Sequence, residues 1–175
     1  MTRGVLGSRN AAISSYYLGG KGRETVTSLN YGIADRLELG VSHYYQDKDW
    51  SASFRFELFQ SGDQWWHPTA VFAIHDIGRP ETADVSLTAV KRYTLPILGN
   101  VRLHAGVLKE TKSGGDVKAF GGISKIIERY FDFSLIYDGY DMHFIFGTSY
   151  KGFRISLIAY KMEHVGVGFS YQFHL

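Results

Sequence analysis

The sequence predicts an all-β fold, a single antiparallel up-and-down transmembrane β-barrel of about 12 strands that forms one domain over residues 1–175. Composition is the first observation: 20 Gly, 12 Tyr and 12 Phe, with no Cys, suit one β-rich domain with many turns. The second is the alternation of apolar and polar residues, which gives a strand two different faces. The third is the last strand, which places five large residues on one face, as in the closing strand of an outer-membrane barrel: Val165, Val167, Phe169, Tyr171 and Phe173.

Alternating stretches bounded by Gly, Asp, Asn, Lys and Pro predict each strand in order. They lie at residues 10–18, 25–33, 37–46, 51–60, 67–76, 83–93, 101–109, 117–126, 130–138, 142–150, 153–162 and 165–174. Strands of about 9–10 residues, tilted near 45°, match the apolar height of a bilayer. The stretch 67–76 is apolar on both faces and fits the pattern least well. All connecting segments are short, so we expect no long loop that folds inward as a plug.

Alternation does not by itself say which face is inside the barrel. A soluble barrel would bury the apolar face. A barrel that binds an apolar ligand, either in solution or in a membrane, stays open as an alternative function. Two features favour a membrane. About 12 strands enclose more space than side chains readily fill, and glycines recur on the polar face, where a crowded lumen would accept them: positions 40, 106, 147, 166 and 168. We therefore expect Phe144 and Leu157 to face lipid.

The polar face supplies the candidate pore-lining residues. They are Glu38, Arg55, Glu57, Arg102, Lys118, Asp132, Asp138, His143, Ser149, Arg154 and Gln172. Counting across the short turns predicts two rows of neighbours, Asp132–Ser149–Arg154–Gln172 and Asp138–His143–Tyr160. These rows either stiffen the wall through hydrogen bonds or line a pore. The mixture of acids and bases predicts weak ion selectivity.

Catalysis receives little support from the residues. Ser42 and His43 are adjacent, so their side chains point to opposite faces and cannot form a dyad. Asp138 and His143 supply an acid and a base, but the predicted neighbour is Tyr160 rather than a serine. We predict no enzyme and no catalytic residue, with an outer-membrane acyl-chain hydrolase as the remaining alternative.

Metal, cofactor and nucleic-acid binding are not indicated. The seven histidines form no closely spaced pair, so we expect no metal site and no cofactor. A formal charge of +2 comes from 19 basic and 17 acidic residues that are scattered along the chain, which predicts no nucleic-acid surface. The expected partners are membrane lipid and, during insertion, the barrel-assembly machinery.

The expected location is a bacterial outer membrane. Residues 1–10 lack the apolar stretch of a secretory signal peptide, so we expect the sequence of a mature form. An even number of strands puts both termini on the periplasmic side. Aromatic residues at strand ends predict membrane-interface girdles: Trp50, Trp65, Trp66 and His67.

Four segments resemble the YjbH-like outer-membrane β-barrels associated with exopolysaccharide and capsule systems. They are YGIADRLELG at 31–40, FAIHDIG at 72–78, FGGIS at 120–124 and LIYDG at 135–139. The resemblance implies an outer-membrane barrel with a role in polysaccharide export or surface assembly, and it supplies no catalytic residues. The leading prediction is therefore a passive pore or a structural, export-associated wall protein.

Overall fold

The structure is a computed structural model that describes residues 5–20, 23–60, 67–96, 99–112, 114–127 and 130–175. Within these ranges the chain forms twelve strands. They are β1 (Asn10–Leu18), β2 (Glu24–Ala34), β3 (Leu37–Tyr44), β4 (Asp49–Phe59), β5 (Thr69–Ile77), β6 (Asp84–Leu95), β7 (Gly99–Glu110), β8 (Val117–Ile127), β9 (Phe131–Tyr137), β10 (Met142–Tyr150), β11 (Phe153–Tyr160) and β12 (His164–His174). No helix in these ranges is long and apolar enough to cross a membrane.

The strands close into an antiparallel up-and-down barrel. Each strand pairs with its neighbours in chain order, and β1 pairs with β12, with Asn10 opposite His174. The predicted all-β barrel is confirmed, and no predicted strand boundary differs from the observed one by more than two residues.

The barrel has two rims. The rim that carries Asn10 and His174 is here called the terminal rim. The opposite one, with the turns at 45–48, 78–83, 138–141 and 161–163, is called the distal rim.

Tight turns explain why so many strands fit in so short a chain. Lys151 and Gly152 join β10 to β11 with φ of 46° and 88°, the left-handed conformation of a two-residue hairpin turn. The turn places Ser149 opposite Arg154 and Tyr150 opposite Phe153, as the sequence predicts.

The two faces of the wall differ in the sense expected from the alternation. Large apolar side chains are exposed on the outer face, including Ile13, Leu29, Val41, Leu87, Val107, Phe144, Phe146, Leu157 and Val167. Polar side chains are buried on the inner face, including Glu38, Glu57, Ser86, Thr88, His104, Ser134, His143 and Ser156. A protein folded around an apolar core shows the reverse distribution.

The strand that fits the alternation least well is β5. Val71 and Ala73 lie opposite inward residues of β4 and are buried, while Phe72 and Ile74 occupy the outer face. Two irregularities in the β4–β5 register lie on either side of these pairs, between Ala52 and Phe54 and between Glu57 and Phe59. β5 is thus a true strand that places two short apolar side chains on the inner face.

Candidate pore lining

The inner face carries the candidate residues that the sequence indicated. The register places Glu38 opposite Arg55, Arg102 opposite Ser124, and Ser149 opposite Arg154. Asp138 lies in the turn of the distal rim rather than in a strand. Every other candidate is on a strand and alternates with outward apolar residues: Glu57, Lys118, Asp132, His143 and Gln172.

Arg154 and Asp132 form an ion pair across β10. The Nε atom of Arg154 donates to Asp132 Oδ2 at 3.2 Å, and its Nη2 atom donates to Asp132 Oδ1. The pair was expected to cross Ser149. Arg154 does lie opposite Ser149, but Asp132 lies opposite Gly147, and the guanidinium extends over Gly147. The expected position of Asp132 was wrong by two residues because the β9–β10 turn spans four residues, 138–141, between the paired Tyr137 and Met142. The predicted ion pair itself is present.

The predicted proximity of Arg154 to Gln172 is also wrong by two residues. Arg154 lies opposite Ser170 in β12, because the last turn spans residues 161–163 and pairs Tyr160 with His164. Gln172 instead lies opposite Ala12, and its backbone N–H donates to the carbonyl of Gly152 at 3.0 Å.

His143 and Asp138 form the second predicted row together with Tyr160. Asp138 Oδ2 lies 2.6 Å from His143 Nε2, and the backbone N–H of Lys161 donates to His143 Nδ1 at 3.1 Å. The imidazole stacks on Tyr160 with the ring centroids 4.7 Å apart and the planes 8° from parallel. Because the Lys161 amide donates to Nδ1, the second ring nitrogen is the one that donates to the carboxylate. Both nitrogens are thus engaged, and neither is available as a general base in this arrangement.

Asp138 also builds the turn in which it lies. Its Oδ1 atom accepts from the backbone N–H groups of Tyr140 and Asp141 at 2.8 and 2.9 Å. At the same rim the carboxylate of Asp141 accepts from Lys161 at 3.1 Å, and this hydrogen bond raises the pKa of the Lys161 ammonium. The β9–β10 and β11–β12 turns are therefore joined by polar contacts.

Lys118 pairs with a residue that the sequence did not indicate. Its ammonium donates to Glu110, the hydroxyl of Tyr140 donates to the same carboxylate oxygen, and the ammonium lies 3.4 Å from the centroid of the Tyr140 ring. Lys112 contributes a second ion pair to Glu110 at 2.9 Å. Glu110 was missed because it ends β7, where the alternation gives way to a turn.

Asp76 is the centre of a further cluster that sequence reasoning missed. The hydroxyl groups of Tyr44 and Ser51 donate to Asp76 Oδ1 at 2.5 and 3.0 Å. The guanidinium of Arg79 lies 3.8 Å above the Tyr44 ring and pairs with Asp47 at 2.5 Å. These contacts tie the ends of β3, β4 and β5 together at the distal rim.

At the terminal rim, Glu38 holds two groups. Its Oε1 atom accepts from Arg55 Nη1 at 3.3 Å, and its Oε2 atom accepts from the backbone N–H of Leu6 at 2.8 Å. The Glu38 side chain is only 3% exposed, whereas that of Arg55 is 33% exposed. The segment before β1 thus contacts the inner wall.

A row of serines runs from strand to strand around part of the inner face, at a level between the two rims. Ser170, Ser14, Ser28, Ser42 and Ser51 are consecutive partners on β12, β1, β2, β3 and β4. The hydroxyl groups of Ser28 and Ser42 lie 2.7 Å apart.

Three polar atoms elsewhere in the described ranges are buried without a protein partner: Glu57 Oε1, Asp84 Oδ1 and His104 Nδ1. Polar atoms of this kind are normally satisfied by protein or by ordered water.

Aromatic side chains form clusters on the outer face near both rims. Near the distal rim, the ring of His43 lies 4.6 Å from both Tyr45 and Trp50. Near the terminal rim, Phe153 stacks on Tyr171 at 4.2 Å. His67 stacks on Phe59 at 6.5 Å, whereas Trp65 and Trp66 lie outside the described residues.

Comparison with known proteins gives no family assignment, because neither a protein-family model nor a curated protein matches the sequence.

Proposed function

We propose that this barrel spans a bacterial outer membrane and acts as a narrow passive pore. The proposal rests on the difference between the two faces of the wall: apolar side chains are exposed on the outer face, and polar side chains are buried on the inner face. Leu157 on the outer face is 54% exposed, whereas Glu38 on the inner face is 3% exposed. Exposing large apolar side chains all round a barrel is unfavourable in water and favourable in lipid. A polar interior surrounded by an apolar exterior is the arrangement of transmembrane β-barrels.

The aromatic clusters near both rims support the membrane part of the proposal. Tyr and Trp rings combine an apolar body with a polar group, and they are favoured where the acyl chains of a bilayer meet its headgroups. Trp50 near the distal rim and Tyr171 near the terminal rim lie on opposite sides of the outer apolar band. Membrane lipid is accordingly the partner that we propose for the outer face.

Polar side chains at both rims and between them on the inner face, here called the polar path, support the pore part. They include the Asp138–His143 and Glu110–Lys118 pairs at the distal rim, the serine row, and the Asp132–Arg154 and Glu38–Arg55 pairs towards the terminal rim. Since each charge in these pairs has an opposite partner, the lumen presents little net field and is expected to be weakly ion-selective.

A closed structural wall is the second candidate, and the burial of inner side chains favours it. His143, Ser156 and Glu57 are shielded from solvent although they face the lumen. Both proposals include a non-enzymatic role. They are consistent with the hydrogen bonds at both ring nitrogens of His143, the base that the sequence indicated. The link to surface polysaccharide rests on the sequence resemblance and is a proposal on that ground alone.

Conductance in planar bilayers separates the two candidates. Protein that has refolded, as judged by heat-modifiable migration in detergent gels, is expected to give small, discrete conductance steps. Arg154→Glu places a second acid beside Asp132, so the reversal potential in a salt gradient should shift towards cation selectivity. Folded protein that inserts but never conducts would exclude the pore and leave the structural wall. Folded protein that does not insert would contradict the membrane assignment.

A further inference from the structure

The chain before β1 turns back into the barrel. The backbone N–H of Asn10 donates to the carbonyl of Gly7 at 3.1 Å, and the Asn10 side-chain amide donates to the carbonyls of Gly7 and Ser8. Arg9 has a φ of 62°, a left-handed conformation that such a reversal requires. The turn directs residues 5–7 against the inner face of β2 and β3. These residues are here called the strap.

Gly32 provides the space in which the strap lies. A Cβ atom at position 32 would lie 2.2 Å from the carbonyl oxygen of Gly7 and 2.5 Å from that of Leu6. Both contacts are with backbone atoms, so a side chain at this position cannot be accommodated by a rotamer change. At Gly168, also on the inner face, a Cβ atom would meet its neighbours at ordinary distances of 3.6–3.8 Å. At Gly32 the two close oxygen atoms belong to the strap itself, so an added side chain there would collide with the strap.

Glu38 fixes the strap through a charge-assisted hydrogen bond. Its carboxylate accepts from the backbone N–H of Leu6 at 2.8 Å while also pairing with Arg55. Near the edge of the rim, the N–H of Ser8 donates to Asp35 Oδ1 at 3.4 Å. Leu6 is buried, although it precedes the first strand of the barrel. Hydrogen bonds to a buried ionised acceptor are among the stronger ones in proteins.

We propose that the strap is a built-in constriction at the terminal rim, and that Gly32 and Glu38 hold it in place. The strap covers the inner wall where the polar path reaches the Glu38–Arg55 pair, so it narrows the path at this mouth. As a constriction of a conducting lumen it rests on the proposed pore function. Displacing the strap from the wall should widen the mouth without altering the strands.

Thiol accessibility tests whether the strap is held against the wall. The sequence has no cysteine, so Leu6→Cys introduces a single thiol. In folded protein, adding Gly32→Ala or Glu38→Ala should make a bulky maleimide label this thiol about ten times faster. Each change weakens the contact between strap and wall, and losing one hydrogen bond to a charged group corresponds to about a tenfold change in the exposed population. Gly168→Ala is the matched control and should leave the rate unchanged. Equal rates in all four folded proteins would overturn the proposal.

Single-channel conductance then tests whether the strap limits the pore. Gly32→Ala and Glu38→Ala should each give larger conductance steps than the parent and Gly168→Ala. Faster labelling with unchanged steps would overturn the constriction. Faster labelling in folded protein that gives no steps in any variant would support the docked strap and contradict the pore function instead. Two variants are used because Glu38→Ala also frees Arg55, whereas Gly32→Ala leaves that ion pair intact.

Discussion

The guanidinium of Arg154 lies directly over Gly147 on the inner wall of the barrel. A Cβ atom at position 147 would lie 2.6 Å from Arg154 Nη2 and 2.8 Å from its Nε atom. Gly147 lies opposite Asp132 on one side and Ser156 on the other, so the arginine must cross its strand to reach the acid. The missing side chain is thus what allows an ion pair to form between β9 and β11.

Gly147→Ala should destabilise the barrel by displacing Arg154 from Asp132. Both partners are largely buried, and the loss of a hydrogen-bonded charge pair of this kind costs about 1–3 kcal/mol. The free energy of unfolding should be measured by guanidinium titration of protein in lipid vesicles. Gly168→Ala is the control, since its Cβ atom has ordinary contacts, and it should change the value by less than about 0.5 kcal/mol. Equal losses in the two variants would contradict this explanation of Gly147.

Leu157 and Val165 test whether the outer face contacts lipid. Leu157 lies near the middle of β11, and Val165 lies at the distal end of β12 on the same face. Near the midplane of a bilayer an arginine costs about 2–4 kcal/mol, but near the interface it costs only about 0–1 kcal/mol. Leu157→Arg should therefore lower the free energy of unfolding in vesicles much more than Val165→Arg. If both arginines are tolerated equally, the face is exposed to water and the barrel is soluble.

The two rims should lie on opposite sides of the membrane. Glu163 is exposed in a turn of the distal rim and Arg36 in a turn of the terminal rim. Single cysteines at these positions will be unique in the chain. In intact cells Glu163→Cys should react with an impermeant thiol reagent, while Arg36→Cys should react only after lysis. The reverse pattern would place the termini outside, and labelling of both only after lysis would exclude a surface-exposed barrel.

The fold could be predicted because one physical signal repeats along the chain. A barrel strand with one apolar face and one polar face must alternate, so each strand shows the pattern independently of the others. The glycines on the polar face indicated places where neighbouring side chains need space on the inner wall. Gly147 accommodates Arg154, and Gly40 lies against Asn30 and Ser53. The strand β5 carried the weakest signal, since Val71 and Ala73 make its inner face apolar.

The register could be predicted only where turn length was evident. The Lys151–Gly152 turn has a clear two-residue signature, and the pairs on either side of it were correct. The four-residue turn at 138–141 depends on Asp138 accepting two backbone N–H groups, which spacing does not reveal. Contacts that skip a strand, such as Tyr44 of β3 to Asp76 of β5, leave no periodic signal at all. The strap was missed for a related reason, because it belongs to no strand.

His143 should act as a structural residue that joins two turns. His143→Phe keeps an aromatic ring for stacking on Tyr160 but removes the hydrogen bonds to Asp138 and to the Lys161 backbone. Losing a buried hydrogen bond to a charged partner should lower the free energy of unfolding by about 1.5–3 kcal/mol. Tyr160→Phe keeps the stacked ring and is the matched control, with a smaller expected loss.

The rate of amide hydrogen exchange shows whether that loss is local. In His143→Phe the amides of residues 139–141 and 161 should exchange faster, because the Asp138 turn loses its link to the β11–β12 turn. Amides in the middle of β10 should be unaffected, since their partners in β9 and β11 are retained. Unchanged exchange at both turns, together with an unchanged free energy of unfolding, would show that His143 does not hold the distal rim. A role for its imidazole outside the two observed hydrogen bonds would then have to be sought.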